Sequence, residues 1–313
     1  ATISRVINGS NNVSKSTKLK VERILAKFDY SPNAIARGLV VKSMNSIGVL
    51  ATDIRDTYYA NISYTIEQEL SNFGYSMILC NTSNSYEKKV QYINKLLEKK
   101  VDGIILVGSV FIDDLDENII QKISSKVPVI LINSYIEGEN IYSILCDDFM
   151  GISNCVDYLA NKGFEKFAYL QDKRSYSAVQ KLNGFNRGIN NNLIKESLII
   201  ETETSLTGGY NGVNEIIKSN WSKYAIITGE DIVALGALKK LISLNINIPE
   251  DVAITGFNNS IISQCSAIEL TTVDSNMEKL GIGAVRILKK ILSGSIPDNK
   301  TVITPELIIR DST

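Results

Sequence analysis

From Ser46 onward the chain alternates between short, nearly uninterrupted apolar runs and longer segments whose apolar residues recur at helical spacing. Few architectures accommodate that pattern. The runs read SIGVLAT, YSMILC, GIILVGS, VPVILI, YSILC, KFAYLQ, YAIITG and VAITGF. A strand that is apolar on both faces has to be covered on both faces, and strands interleaved with helices deliver that cover as a parallel sheet. Helical periodicity occupies Tyr59–Phe73, Tyr86–Lys99, Phe149–Asn161, Val179–Asn190, Asp231–Leu244 and Met277–Leu292. About ten strands are expected, more than the roughly five or six of a usual sheet. A chain of 313 residues also exceeds what one core ordinarily serves. The predicted body is therefore α/β, with two doubly wound parallel-sheet lobes.

Composition removes several classes of function. The chain has no histidine, so Ser-His-Asp and Cys-His nucleophile systems are impossible and the commonest zinc ligand is missing. There is no G-x-S-x-G elbow, P-loop or helix-opening G-x-G-x-x-G, and no enzyme activity, cofactor or metal is predicted. Cys80, Cys146, Cys155 and Cys265 lie far apart and are expected to be buried thiols in a reducing compartment. No run approaches the ~18 apolar residues of a membrane span, and no signal-peptide pattern opens the chain. These features predict a soluble cytoplasmic protein without a membrane partner.

The net charge of −1 hides a split. Residues 1–45 carry eight Lys or Arg against Glu22 and Asp29, a balance of +6 that leaves −7 on the rest. A basic head on an acidic body fits an anionic partner at one end, and a solvated lysine-rich helix surface would look the same. The first eight residues, ATISRVIN, read as the back half of a helix with Ile3, Val6 and Ile7 on one side. A second helix is expected from Ser14 as N-cap to Phe28, with Leu19, Ile24, Leu25 and Phe28 as its apolar face. Pro32 holds Ser31 out of helix geometry, and Asn33–Leu39 is a helical scrap of about two turns, too short to persist unless something it touches orders it.

These residues carry a family resemblance. ATISRVING, VSKSTKLKVERILAKFDYSPNAIARGL, KKVDGIILVGS, EDIVALGAL, IPEDVAITGFNN and ELTTV together resemble the lac repressor and galactose repressor family along essentially the whole chain. The resemblance implies a partial all-α helix-turn-helix headpiece at 1–29, a hinge helix and linker at 30–45, and an effector-binding core at 46–313 with the two lobes of a periplasmic binding protein. The lobes are expected at about 46–161 plus 277–292 and about 162–274 plus 295–313, joined by three crossovers. By the same analogy, the first headpiece helix, the turn and the start of the recognition helix precede what is present here.

The implied partners are palindromic operator DNA, a second copy of the chain and a small-molecule effector of carbohydrate type. Thr2 and Ser4 are expected at base edges, Arg5 at a guanine or a phosphate, and Asn8, Ser14 and Thr17 at phosphates. Tyr30 joins this DNA-facing set. Leu39 matches the family's minor-groove wedge, with Asn33 and Ala36 beside it. In the core, the effector-contacting positions correspond to Asp53, Tyr58, Lys181, Thr204, Glu230, Asn258 and Met277. For Asp53 and Tyr58 the alternatives are a helix N-cap and aromatic packing. Lys181 and Asn258 stand where sugar-binding relatives have Arg and Asp, so the bidentate grip on vicinal hydroxyls is not intact. Two readings follow. Lys181 and Glu230 could form the polar floor for a different metabolite, or the input could be a phosphorylated carrier protein, as in the catabolite control proteins. Asp53, Asp147 and Glu230 around one lysine argue against a phosphosugar. A lysine facing a cleft is expected to be at most half buried.

If Leu39 is the wedge, Leu39→Ala should lower operator affinity while binding to random DNA and its salt dependence stay nearly unchanged. Anisotropy titrations on both DNAs check this, and equal losses on the two would refute the wedge.

Overall fold

A computed structural model describes residues 2–7, 13–27, 43–83, 85–111, 117–171 and 175–313. The chain forms two compact units, Ala1–Asn45 and Ser46–Thr313. In the first, helix α1 (Thr2–Ile7) packs against α2 (Lys15–Lys27). Ser14 precedes α2 and its hydroxyl accepts from the Thr17 amide at 3.3 Å, the geometry of an N-cap. Val6 is buried, but Ile3, Leu19 and Ile24 are exposed. The predicted apolar face of α2 is therefore uncovered at Leu19 and Ile24, because among the described residues only the six-residue α1 packs on it.

The second unit runs β1 (Ser46–Ala51), α3 (Thr57–Asn72), β2 (Ser76–Asn81), α4 (Tyr86–Glu98), β3 (Gly103–Val107), α5 (Glu117–Ser124), β4 (Val129–Ile132), β5 (Ile141–Cys146) and α6 (Asp148–Asn161). It continues through β6 (Lys166–Gln171), α7 (Tyr176–Asn191), β7 (Glu196–Glu201), α8 (Leu206–Ile217), β8 (Tyr224–Thr228), α9 (Asp231–Ser243) and β9 (Val252–Phe257). The last elements are β10 (Thr271–Asp274), α10 (Met277–Leu292), β11 (Lys300–Ile303) and β12 (Glu306–Ile308). Two six-stranded sheets result, ordered β11-β5-β4-β3-β1-β2 and β12-β10-β9-β8-β6-β7. Every pairing is parallel except that of β12 with β10.

The chain passes between the sheets three times, after β5, β10 and β11. Two expected lobe boundaries shift. Helix α6 packs on α7, β8, β10 and β12, so 148–161 belongs to the second lobe rather than the first. Segment 295–313 is divided: β11 pairs with β5 in the first sheet and only β12 with the second. The reason is that β5 would otherwise leave an unpaired edge, and a short parallel strand closes it.

Each sheet is covered twice. Ile47, Val49, Ile105 and Ile130 of the first sheet and Phe167, Tyr169, Ala225 and Phe257 of the second share one apolar cluster with α3, α6, α7 and α10. The opposite faces pack separately, Leu50, Ile104 and Leu131 under α4 and α5, and Ala168, Ile226 and Ile254 under α8 and α9. Cys80, Cys146 and Cys155 are buried free thiols, whereas Cys265 is exposed, contrary to expectation, in the turn after the 3-10 segment Ile261–Gln264.

Helices α8 and α9 meet backbone to backbone. A Cβ on Gly209 would lie 1.9 Å from the Val233 carbonyl oxygen, and one on Gly236 would lie 2.0 Å from that of Leu206. Alanine is favoured over glycine in a helix by about 1 kcal/mol, so propensity alone predicts that Gly209→Ala stabilises. The clash is with backbone that cannot rotate away, and the expected result is a net loss of about 2 kcal/mol or more in urea unfolding.

Candidate functional site

In each sheet the order reverses once, between β1 and β3 and between β6 and β8, and loops leaving the carboxyl ends of those strands diverge to open a crevice. The two crevices form one cleft of ≈ 560 Å³. The first lobe lines it with Thr52, Asp53, Asp56, Tyr58, Ser109 and Asn133, and the second with Ser175, Ser177, Lys181, Glu203, Thr204 and Glu230. Gly108, which follows β3, has φ +104 and no room for a side chain, since a Cβ would stand 2.7 Å from the Tyr59 ring. A glycine there lets the chain turn away and present Ser109, whose hydroxyl donates across to Ser175 at 3.0 Å.

Lys181 organises the floor. It projects from α7, is 3 % exposed, and donates to the Gly229 carbonyl at 2.8 Å. Its Nζ also meets Glu230 Oε1 at 3.5 Å and lies 4.0 Å from the centre of the Phe257 ring. The other Glu230 oxygen accepts from Asn258 Nδ2 at 2.5 Å. Three segments, α7, the β8–α9 turn and the residue after β9, are thereby held by one charge network. The expectation of a half-buried lysine is overturned. Leaving water is offset only because both lysine and glutamate are paired.

Beside this floor sits Asp148. It is buried, and its Oδ2 accepts from Ser177 at 2.5 Å. Burial pushes its carboxyl above the ordinary range, opposed by the Lys181 charge and the Ser177 hydrogen bond. Its other oxygen, the Tyr58 hydroxyl and the Thr52 hydroxyl are buried without a hydrogen-bond partner. Burial, with Tyr59, Asp148, Cys146 and Glu230 nearby, also drives the Tyr58 phenol upward. Buried polar groups are normally satisfied, and an orphan costs about 1–3 kcal/mol.

Of the positions expected to contact effector, Asp53, Tyr58, Lys181, Thr204 and Glu230 line the cleft. Asn258 stands behind Glu230. Met277 does not line the cleft: as the first residue of α10 it packs against the main apolar cluster. The capping role considered for Asp53 belongs to Asp56, whose Oδ1 accepts from the Tyr58 amide at 2.9 Å. Asp53 instead pairs with Arg55 at 2.6 Å, and those hydrogen bonds hold its carboxyl down to about 2. Asp147 caps α6 through the Met150 amide, so the buried acid of the site is its neighbour Asp148. Sequence reasoning missed Thr52, Ser109, Asn133, Asp148, Ser177 and Glu203. All but Ser177, which opens α7, sit within two residues of a strand's carboxyl end, and that position was the available signal.

In the amino-terminal unit, Thr2 and Arg5 are exposed on α1, which also contains Ser4. The Ser14 hydroxyl is engaged in capping and lies 2.8 Å from that of Thr17. Asn8, Tyr30, Asn33, Ala36 and Leu39 lie outside the described residues.

The family model for the periplasmic binding protein-like domain matches residues 156–313, and that for bacterial regulatory proteins of the lacI family matches residues 1–33. An HTH-type transcriptional regulator of Lachnoclostridium phytofermentans is 37% identical over 317 residues, covering 100% of this chain and 95% of the relative. The chain belongs to the lacI family of bacterial regulatory proteins. Catabolite control protein A of Priestia megaterium is 31% identical, again over 100% of this chain and 95% of its own. A solved lac repressor dimer bound to operator and the anti-inducer ONPF has the same fold, with a TM-score of 0.89 and 24% identity, covering 99% of this chain and 94% of that one. As a member of the lacI family the protein is a DNA-binding transcriptional regulator and not an enzyme.

Removing Lys181 leaves the part-buried Glu230 and the buried Asp148 without the cation they face. Lys181→Ala should cost roughly 3–5 kcal/mol in urea unfolding. The double variant Lys181→Met/Glu230→Gln, which removes both charges and keeps the alkyl stem, should recover more than half of that loss.

Proposed function

We propose that this regulator is a repressor controlled by a small hydroxylated effector, a sugar or sugar derivative, bound between the two lobes. It acts in the cytoplasm as a homodimer on a palindromic operator. The observation that carries the reading is the cleft of ≈ 560 Å³ lined from both lobes by polar side chains, among them Asp56, Ser109, Asn133, Ser177 and Glu203. A ligand rich in hydroxyl groups can donate to and accept from such groups, which water-free apolar ligands cannot. Both lobes contribute, so a ligand touching both biases their relative closure, and that is a differential affinity of the kind allostery requires. In the dimer, lobe closure changes the spacing of the paired DNA-binding heads.

Catabolite control protein A among the relatives favours a second input, a phosphorylated carrier protein docking on the body. A polar-lined cleft between the lobes is not needed for that input, and the small-ligand reading explains it better.

The test is operator selection from random DNA, followed by anisotropy titrations with and without a sugar panel. The expected outcome is a palindromic site whose affinity falls steeply with salt and shifts about 5–150-fold with one panel member. A sequence-independent affinity that no sugar alters would refute the reading.

A further inference from the structure

We propose that the cleft selects a cationic hydroxylated ligand, an amino sugar in its ammonium form, over the neutral sugar and over its phosphate ester. The inference rests on the sugar-effector reading and narrows it.

Charge supplies the first argument. Among the described residues, four carboxylates, Asp53, Asp56, Glu203 and Glu230, line the cleft against the single ammonium of Lys181. Lys181 is committed to Gly229 and Glu230, and Asp53 is held by Arg55. Asp56 on the first lobe and Glu203 on the second have no ion-pair partner among the described residues. An ammonium entering the closed cleft meets carboxylates from both walls. A phosphate meets like charge from both.

Donor and acceptor chemistry supplies the second. Helix amino ends ordinarily attract anions, and several open here. One first-turn amide of each is already taken: Asp56 caps α3, Ser175 caps α7 at 3.2 Å and Ser205 caps α8 at 3.0 Å. At α9 the cap position is Glu230 itself, which brings negative charge to the helix end. Beside these the cleft offers the acceptors of the Asp56 and Glu203 carboxylates, one on each wall. An ammonium has three donors and no acceptor, which suits such a set. The Ser109, Asn133 and Ser177 side chains of the lining can serve the ligand's own hydroxyls.

The experiment is isothermal titration of the intact protein with D-glucosamine, D-galactosamine and D-mannosamine, each against its neutral and 6-phosphorylated counterpart, at a mildly acidic pH where the amine is charged. The expected result is that at least one amino sugar binds about tenfold or more tighter than its neutral partner, about 1.4 kcal/mol, with no measurable binding of the phosphate ester. The double variant Asp56→Asn/Glu203→Gln keeps an asparagine cap on α3, and should bring amino and neutral sugars to within about threefold while the melting temperature of the free protein is held. If the variant retains the full preference, the carboxylates are not its cause and the proposal fails. If neutral and amino sugars bind alike, the proposal fails and the sugar-effector reading stands. Binding of no sugar at all would sink both. A preference for the phosphate ester overturns the proposal and redirects attention to Lys173 and Arg174, which precede Ser175 in the chain.

Discussion

A strand buried on both faces can satisfy its peptide groups only sideways, through neighbours in the same sheet, and the whole body follows from that constraint. Parallel neighbours require a crossover, the crossovers become the covering helices, and the loops that matter all emerge at one end. Two sheets built this way place their open crevices toward one another. The cleft is therefore a product of topology before any particular side chain is considered. Its walls are the residues that happen to end strands: Thr52 after β1, Ser109 after β3, Asn133 after β4 and Glu230 after β8.

Within that frame Lys181 is the residue whose environment is most tightly specified. An ammonium with 3 % exposure survives because a carbonyl, a carboxylate and an aromatic face replace its water. The same contacts commit the lysine, so it cannot also act as a free anion receptor. Carboxylates without an ion-pair partner among the described residues lie elsewhere in the cleft, at Asp56 and Glu203. A hydrogen bond between Ser109 and Ser175 spans the two lobes at the cleft, one weak tie across a boundary that a ligand could reinforce.

Much of the fold was legible in the sequence because buried parallel strands write themselves as continuous apolar runs. Three of the four edge strands do not. Strand β7 (ESLIIE) is exposed at alternate positions, and β11 and β12 are four and three residues long, so none stood out as a run. The ownership of α6 by the second lobe was hidden for a different reason: a helix shows in sequence that it has an apolar face, not which sheet that face meets. The site was half legible. Lys181, Glu230 and Tyr58 could be placed by position, but Asp148 could not be told from Asp147, since one residue of helix rotation sends one side chain into the core and the other to a cap.

What the sequence by itself determined was the α/β class, the division at Ser46 between a basic head and a two-lobed body, and the family, because periodicity and local motifs are properties of contiguous residues. What only the tertiary structure decided was the state of each charge: Lys181 and Asp148 buried, Asp53 tied to Arg55, Met277 turned into the core, and Asp56 and Glu203 left facing the cleft. Solvation and pairing depend on groups that are distant in the chain and adjacent in space, and no local pattern records that adjacency.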